Sequence, residues 1–258
     1  MLGMVGAGVL ALAASQPAHA AAFVEIHAGL ASVSCDNGTA AGVLACTAAG
    51  FSTSLDSNVI GWSGAGGAMT VGGYTFGAPS SVSANVPGNP ALGRVSDLKG
   101  VVTKDVTAVS DLFVEFGAYN FTLPAGPGMT LSASTTGNYD LSNPGDVSKF
   151  VAWARADNSR STTPGGTVSA AAADCIPGSS GTTNACSTVS PDVGFTRLAT
   201  NYSLFGHEEI HLAVGSIADF SAKVTVTPSA VPEPASLLLL GTGLIGGAAR
   251  MRKRWMKK

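Results

Sequence analysis

The 258-residue chain predicts an all-β body, an antiparallel β-sandwich or jelly roll, and three observations lead there. Between Ala21 and Pro228 apolar and polar residues alternate in short runs, the period-two pattern of half-buried strands. Clusters of Gly, Pro, Asn and Ser punctuate those runs. Charged residues make up only 12% of the chain while Gly, Ser, Thr and Ala recur throughout, which suits many short strands and disfavours long amphipathic helices.

Ala22-Phe23-Val24-Glu25-Ile26-His27 opens the body as a strand. Further strands are predicted at Asn58 to Trp62, Val101 to Thr107, Leu112 to Phe116, Met129 to Ala133 and Lys149 to Ala154. The clearest runs from Asp219 to Thr227, where Phe220, Ala222, Val224 and Val226 share one face and Ser221, Lys223 and Thr225 the other. Pro87-Gly88-Asn89-Pro90, Pro124 to Gly128, Asn143-Pro144-Gly145-Asp146 and Pro164-Gly165-Gly166 supply turn chemistry between them. Without its two ends the chain keeps about 210 residues, enough for one domain with a real core. No internal repeat of solenoid type is present.

The ends differ from the body. Residues 2–14 are apolar and small, and Pro17 leads into Ala18-His19-Ala20, an AxA-type processing site. Residues 1–20 are therefore read as a secretory signal peptide, although no Lys or Arg precedes the apolar run, and the general secretory machinery as the route. Residues 229–258 form a tail in three parts: Val231-Pro232-Glu233-Pro234-Ala235-Ser236, then an apolar segment, then Arg-Met-Arg-Lys-Arg-Trp-Met-Lys-Lys. Pro232, Glu233 and Pro234 with these flanks resemble the PEP-CTERM sorting signal of Gram-negative bacteria that make exopolysaccharide. The resemblance covers about 28 residues and implies an exosortase as processing partner, passage through the inner membrane, and a final place at the cell surface or in the extracellular matrix of a biofilm.

The physics of the tail agrees. Residues 235–249 carry no charge, and as a helix they rise roughly 22 Å against a hydrocarbon core of ~30 Å, so the expected transmembrane helix is a marginal anchor suited to a sorting intermediate. The basic cluster behind it stays cytoplasmic by the positive-inside rule, leaving Pro232 and Pro234 outside. Six of the 14 basic residues lie in this cluster. Residues 21–230 keep eight Lys and Arg against 15 Asp and Glu, a net of −7. An acidic body excludes nucleic acid as a partner, because such binding rests on phosphate neutralisation.

Four cysteines fall in two local pairs of equal spacing, and the expected disulfides are Cys35 with Cys46 and Cys175 with Cys186, two other connectivities being formally open. CxxC spacing is absent, which argues against structural zinc.

His207-Glu208-Glu209-Ile210-His211 fits HExxH. On a helix, i, i+4 spacing turns both imidazoles to one side for Zn²⁺ and the adjacent Glu208 serves as base. Gly206 and Gly215 bracket the segment and its flanks fit a strand equally well; His27 is far along the chain, and no third ligand is evident. A strand would hold the two histidines about 13 Å apart, too far for one ion. A zinc-dependent hydrolase through His207, Glu208 and His211 is thus the third reading. Gly61-Trp62-Ser63-Gly64-Ala65 lacks the last Gly of a nucleophile elbow.

A carbohydrate-binding module is the second reading, with Trp62, Tyr74, Tyr119, Tyr139 and Trp153 as sugar-stacking candidates against core burial. Asp140, Asn143 and Asp146 are weighed as a Ca²⁺ turn against a solvated one. The first reading is a non-enzymatic structural or adhesive protein associated with exopolysaccharide, needing no cofactor.

Overall fold

The computed structural model describes residues 21–55, 57–62, 68–105, 111–126, 128–161, 165–169, 174–178 and 184–229. The signal segment at 1–20, the sorting motif Pro232, Glu233 and Pro234, the apolar helix behind it and Ser63 lie outside the described residues. Among the described residues, no helix is long and apolar enough to cross a membrane.

The chain runs β1 (Ala21–Ala28), β2 (Ala31–Asp36), α1 (Ala40–Ala48), β3 (Val59–Trp62), β4 (Met69–Val71), β5 (Tyr74–Phe76), β6 (Ser80–Ala84), β7 (Gly93–Lys104), β8 (Leu112–Phe121) and β9 (Met129–Leu141). It continues with β10 (Val147–Arg155), β11 (Thr167–Val168), β12 (Asn184–Val189), β13 (Val193–Phe195), β14 (Tyr202–His211) and β15 (Ile217–Pro228). Two antiparallel sheets result. Sheet I has the order β11-β10-β14-β8-β1-β2; sheet II has β12-β9-β15-β7-β5-β4, with β13 against β9 and β3-β6 against β7. Each of the seven predicted strands overlaps an observed one, Val106 and Thr107 lying outside the described residues, and the all-β antiparallel expectation holds.

Period-two alternation sorts the faces. Ala22, Val24 and Ile26 of β1, Val114 and Phe116 of β8, and Phe150 and Ala152 of β10 join Leu131 and Ala133 of β9 and Ala222, Val224 and Val226 of β15 in one core between the sheets. The opposite face of sheet I carries a second, smaller cluster: Phe23, Phe205 and Trp153. Phe23 and Phe205 flank Gly117 on either side of β8, with ring centroids 5.4 Å apart. A Cβ on Gly117 would collide with both rings, so glycine lets the two aromatics close over the strand between them. Gly206 of β14 does the same on the inner face, where a Cβ would strike Phe116 and Phe150, whose parallel rings lie 5.9 Å apart.

α1, the one helix among the described residues, has no counterpart in the sequence reading. Thr39 caps its N-terminus by accepting a 3.0 Å hydrogen bond from the Gly42 N–H, and its one buried residue, Cys46, is bonded to Cys35 of β2. The second disulfide joins Cys175 to Cys186 of β12. Both pairings are the predicted ones.

Asp146 ties the β9–β10 and β14–β15 turns together. Its carboxylate accepts from the Asn143 N–H at 2.8 Å, the Ala213 N–H at 2.7 Å and the Ser216 hydroxyl at 2.7 Å. The polar groups weighed as a calcium turn are therefore used internally by Asn143 and Asp146, while Asp140 points to solvent.

Each disulfide closes a short loop, its partners 11 positions apart in the sequence. The Cys35→Ala/Cys46→Ala double variant is expected to lose about 2–3 kcal/mol of stability, read as a lower urea midpoint at unchanged slope.

Candidate functional site

The HExxH segment is part of β14, hydrogen-bonded along both edges to β8 and β10. The helical arrangement that the zinc reading requires is not formed. Strand geometry instead sends His207, Glu209 and His211 to the outer face and Glu208 and Ile210 into the core. The local cause is the alternation of β14 itself, whose Leu204, Glu208 and Ile210 sit on the buried side while Gly206 makes room for aromatic neighbours.

On the outer face the histidines meet carboxylates. Glu115 of β8 receives His207 Nδ1 at 3.0 Å on one oxygen and has His27 Nδ1 at 3.3 Å from the other. His211 Nδ1 lies 2.6 Å from Asp111. His27, distant in sequence, is thus one carboxylate away from His207, because β1 and β14 pair on opposite sides of β8. Phe113 stacks on the His27 ring at 4.9 Å, and Lys149 pairs with Glu209 at 3.3 Å. Among the described residues, no three His, Cys, Asp or Glu side chains are grouped to hold a metal ion.

The inner face holds the less expected arrangement. Asp97 and Lys99 of β7 and Glu208 of β14 present side chains with no exposure to solvent. Lys99 Nζ donates to Asp97 Oδ2 and lies 2.5 Å from Glu208 Oε2. The second oxygen of Asp97 accepts from the Ala222 N–H of β15 at 3.0 Å. Glu208 Oε1 accepts from the Ser148 hydroxyl of β10 at 2.5 Å and from the Thr135 hydroxyl of β9 at 3.2 Å. Five strands from both sheets contribute to this one polar island.

Two carboxylates share one ammonium there, and burial disfavours an unbalanced charge. Burial pushes the Asp97 carboxyl up to about 6, with the Glu208 charge adding to the rise and Lys99 opposing it. Burial alone would lower the Lys99 ammonium, but Asp97 and Glu208 outweigh it and hold it above its ordinary value. A proton on Asp97 would leave Lys99 and Glu208 as a balanced pair of opposite charges. Sequence reasoning placed neither Asp97 nor Lys99; the visible signal was the charge–apolar–charge triplet Asp97-Leu98-Lys99, which reads equally as a solvated edge.

The aromatic platform fares differently. Trp62 is 4% exposed and Tyr74, Tyr139 and Trp153 are fully buried, so these four cannot stack on a sugar. Tyr119 is half-buried and donates its hydroxyl to Asp36 at 3.1 Å. A solvent-facing hollow of about 470 Å³ lies elsewhere, across sheet II, lined by Leu98, Thr136, Asn138, Ser187, Asp219 and Ser221.

A family model described as the PEP-CTERM protein-sorting motif matches residues 230–253. No curated protein and no solved structure matches the chain. The motif marks an exported protein of Gram-negative bacteria with an exosortase as its processing partner.

Removing the cation from the island leaves two buried carboxylates facing each other. Lys99→Met is expected to cost about 3–5 kcal/mol in urea unfolding at neutral pH. The loss shrinks below about pH 6, where the raised Asp97 carboxyl takes up a proton and the repulsion weakens; an equal loss above and below that pH would contradict this assignment.

Proposed function

We propose that the protein is a non-enzymatic exosortase substrate retained at the cell surface or in the exopolysaccharide matrix, where its β-sandwich serves as a structural or adhesive unit. The sorting motif at residues 230–253 carries the reading. The body supports it: the sandwich is clamped by two disulfides, as suits an oxidising compartment, and its acidic balance makes a cation the bridge to any anionic polysaccharide. Replacing Pro232-Glu233-Pro234 with three alanines is expected to leave the tail uncleaved and the protein in the membrane fraction. Release of that variant at normal size would overturn the reading.

A second reading, contact with a neutral glycan, is favoured by the hollow on sheet II, where Asn138, Asp219, Thr136 and Ser221 offer hydroxyl-pairing groups around Leu98. Asp219→Ala is expected to weaken retention on a neutral polysaccharide column roughly tenfold, the loss of one charged hydrogen bond. Equal retention of variant and wild type, or none for either, would discard it.

A further inference from the structure

We propose that Lys99 and Glu208 form an intramolecular isopeptide bond, a covalent cross-link between the two sheets, with Asp97 as the proton-transfer group. The three side chains are entirely buried, and β7 and β14, which carry them, belong to opposite sheets. Lys99 Nζ is 2.5 Å from Glu208 Oε2, yet no hydrogen bond of acceptable geometry reaches that oxygen. Meanwhile the other oxygen, Oε1, is held by Ser148 and Thr135 hydroxyls, so the carboxyl group is fixed in orientation with one side presented to the amine. Asp97 touches the same Nζ and is anchored by the Ala222 N–H. Nucleophile, acyl group and acid are thus held together, with the amine nitrogen against an oxygen of the carboxyl group it would attack.

The chemistry needs no co-reactant. In the electrically neutral form of the island, one proton sits on Asp97 and one proton transfer from the Lys99 ammonium to Glu208 leaves a free amine facing an uncharged carboxylic acid. In a dry core that transfer costs less, relative to the ion pair, than it would in water. The Nζ lone pair attacks Cδ of Glu208, and negative charge develops on Oε1 while Oε2 keeps its proton as a hydroxyl. Asp97 donates its proton to that hydroxyl, which leaves as water while the C=O bond re-forms at Oε1, and Asp97 then takes a proton from the nitrogen. One C–N bond forms, one C–O bond breaks, one water leaves, and Asp97 ends as it began. The Ser148 and Thr135 hydroxyls donate to the oxygen that stays, where they stabilise the tetrahedral intermediate. Expulsion of water from a dry core opposes hydrolysis of the product amide.

Asp97 is the weaker choice of acyl partner. It lies two residues from Lys99 on the same strand, so bonding to it would close a small ring along β7 and link nothing else. Glu208 lies 109 positions along the chain in the facing sheet, where a bond restrains the sandwich as a whole.

Peptide mass spectrometry of the purified protein tests the assignment directly. Trypsin is expected to release residues 95–104, uncleaved after Lys99, joined to residues 198–223, the pair lighter by one water than the two linear peptides together. Neither peptide contains cysteine, so disulfides cannot produce the same product. Linear peptides at their sequence masses, with cleavage after Lys99, would overturn the proposal and leave a buried ion cluster. A water loss confined to residues 95–104 would overturn the choice of Glu208. The Asp97→Asn variant is expected to lose the cross-link while keeping its strand circular dichroism; persistence of the cross-linked pair in that variant would overturn the role of Asp97.

Discussion

Asp97, Lys99 and Glu208 impose the strictest constraint in the molecule. An ion removed from water must find its partners inside, and here those partners come from β7, β9, β10, β14 and β15. Sheet register follows. A slip of β14 by one residue would turn Glu208 to solvent, away from Lys99, Ser148 and Thr135, and push His207 and Glu209 between the sheets. Apolar contacts tolerate such slips because one aliphatic side chain replaces another; a triad of charges does not. The position of the island beneath the central strands makes it the point against which both sheets are aligned.

The same alternation separates two chemistries along a single strand. Glu208 reads inward to Lys99, while its neighbours His207 and Glu209 read outward to Glu115 and Lys149. An HExxH pattern on a helix would gather its two histidines; on β14 it distributes them, and each imidazole takes a separate carboxylate. All three body histidines, His27, His207 and His211, end on this outer face. Above them Phe23, Phe205 and Trp153 are covered by the segment after β10, with the Arg160 guanidinium 4.7 Å over the Phe23 ring and bonded to Asp36 at 2.7 Å. Sheet I thus carries Arg160 over an aromatic cluster at one end of its outer face and histidine–carboxylate pairs at the other.

How much of this was readable from residues alone depends on what each residue faces. Runs such as Asp219 to Thr227 announce a strand because one face meets apolar neighbours and the other meets water. β7 announced itself only from Val101, since Asp97 and Lys99 occupy inward positions that a hydrophobic pattern assigns to the outside. The short strands β2, β4, β5, β6, β12 and β13 are too brief or too rich in Ser, Thr and Gly to carry a period. α1 has no amphipathic stripe; an N-cap threonine and a disulfide hold it instead. Cysteine pairing was readable because equal local spacing leaves little choice of closure. The island was not, because it joins residues 97, 99 and 208 through a topology that no local pattern encodes. The sorting motif was readable for the opposite reason, being a contiguous stretch whose order alone carries its meaning.

The two kinds of restraint in the body act in different places. Cys35–Cys46 fixes α1 to an edge strand of sheet I, and Cys175–Cys186 fixes β12, at the edge of sheet II, to a segment hydrogen-bonded to Ser148 of β10. Both disulfides clamp margins, and both close short loops, so they limit fraying more than they oppose separation of the sheets. Separation is opposed at the centre, by apolar burial and by the charged island. In this exported sandwich the disulfides hold the edges, while at the centre the register of the two sheets depends on Asp97, Lys99 and Glu208 meeting across the interface.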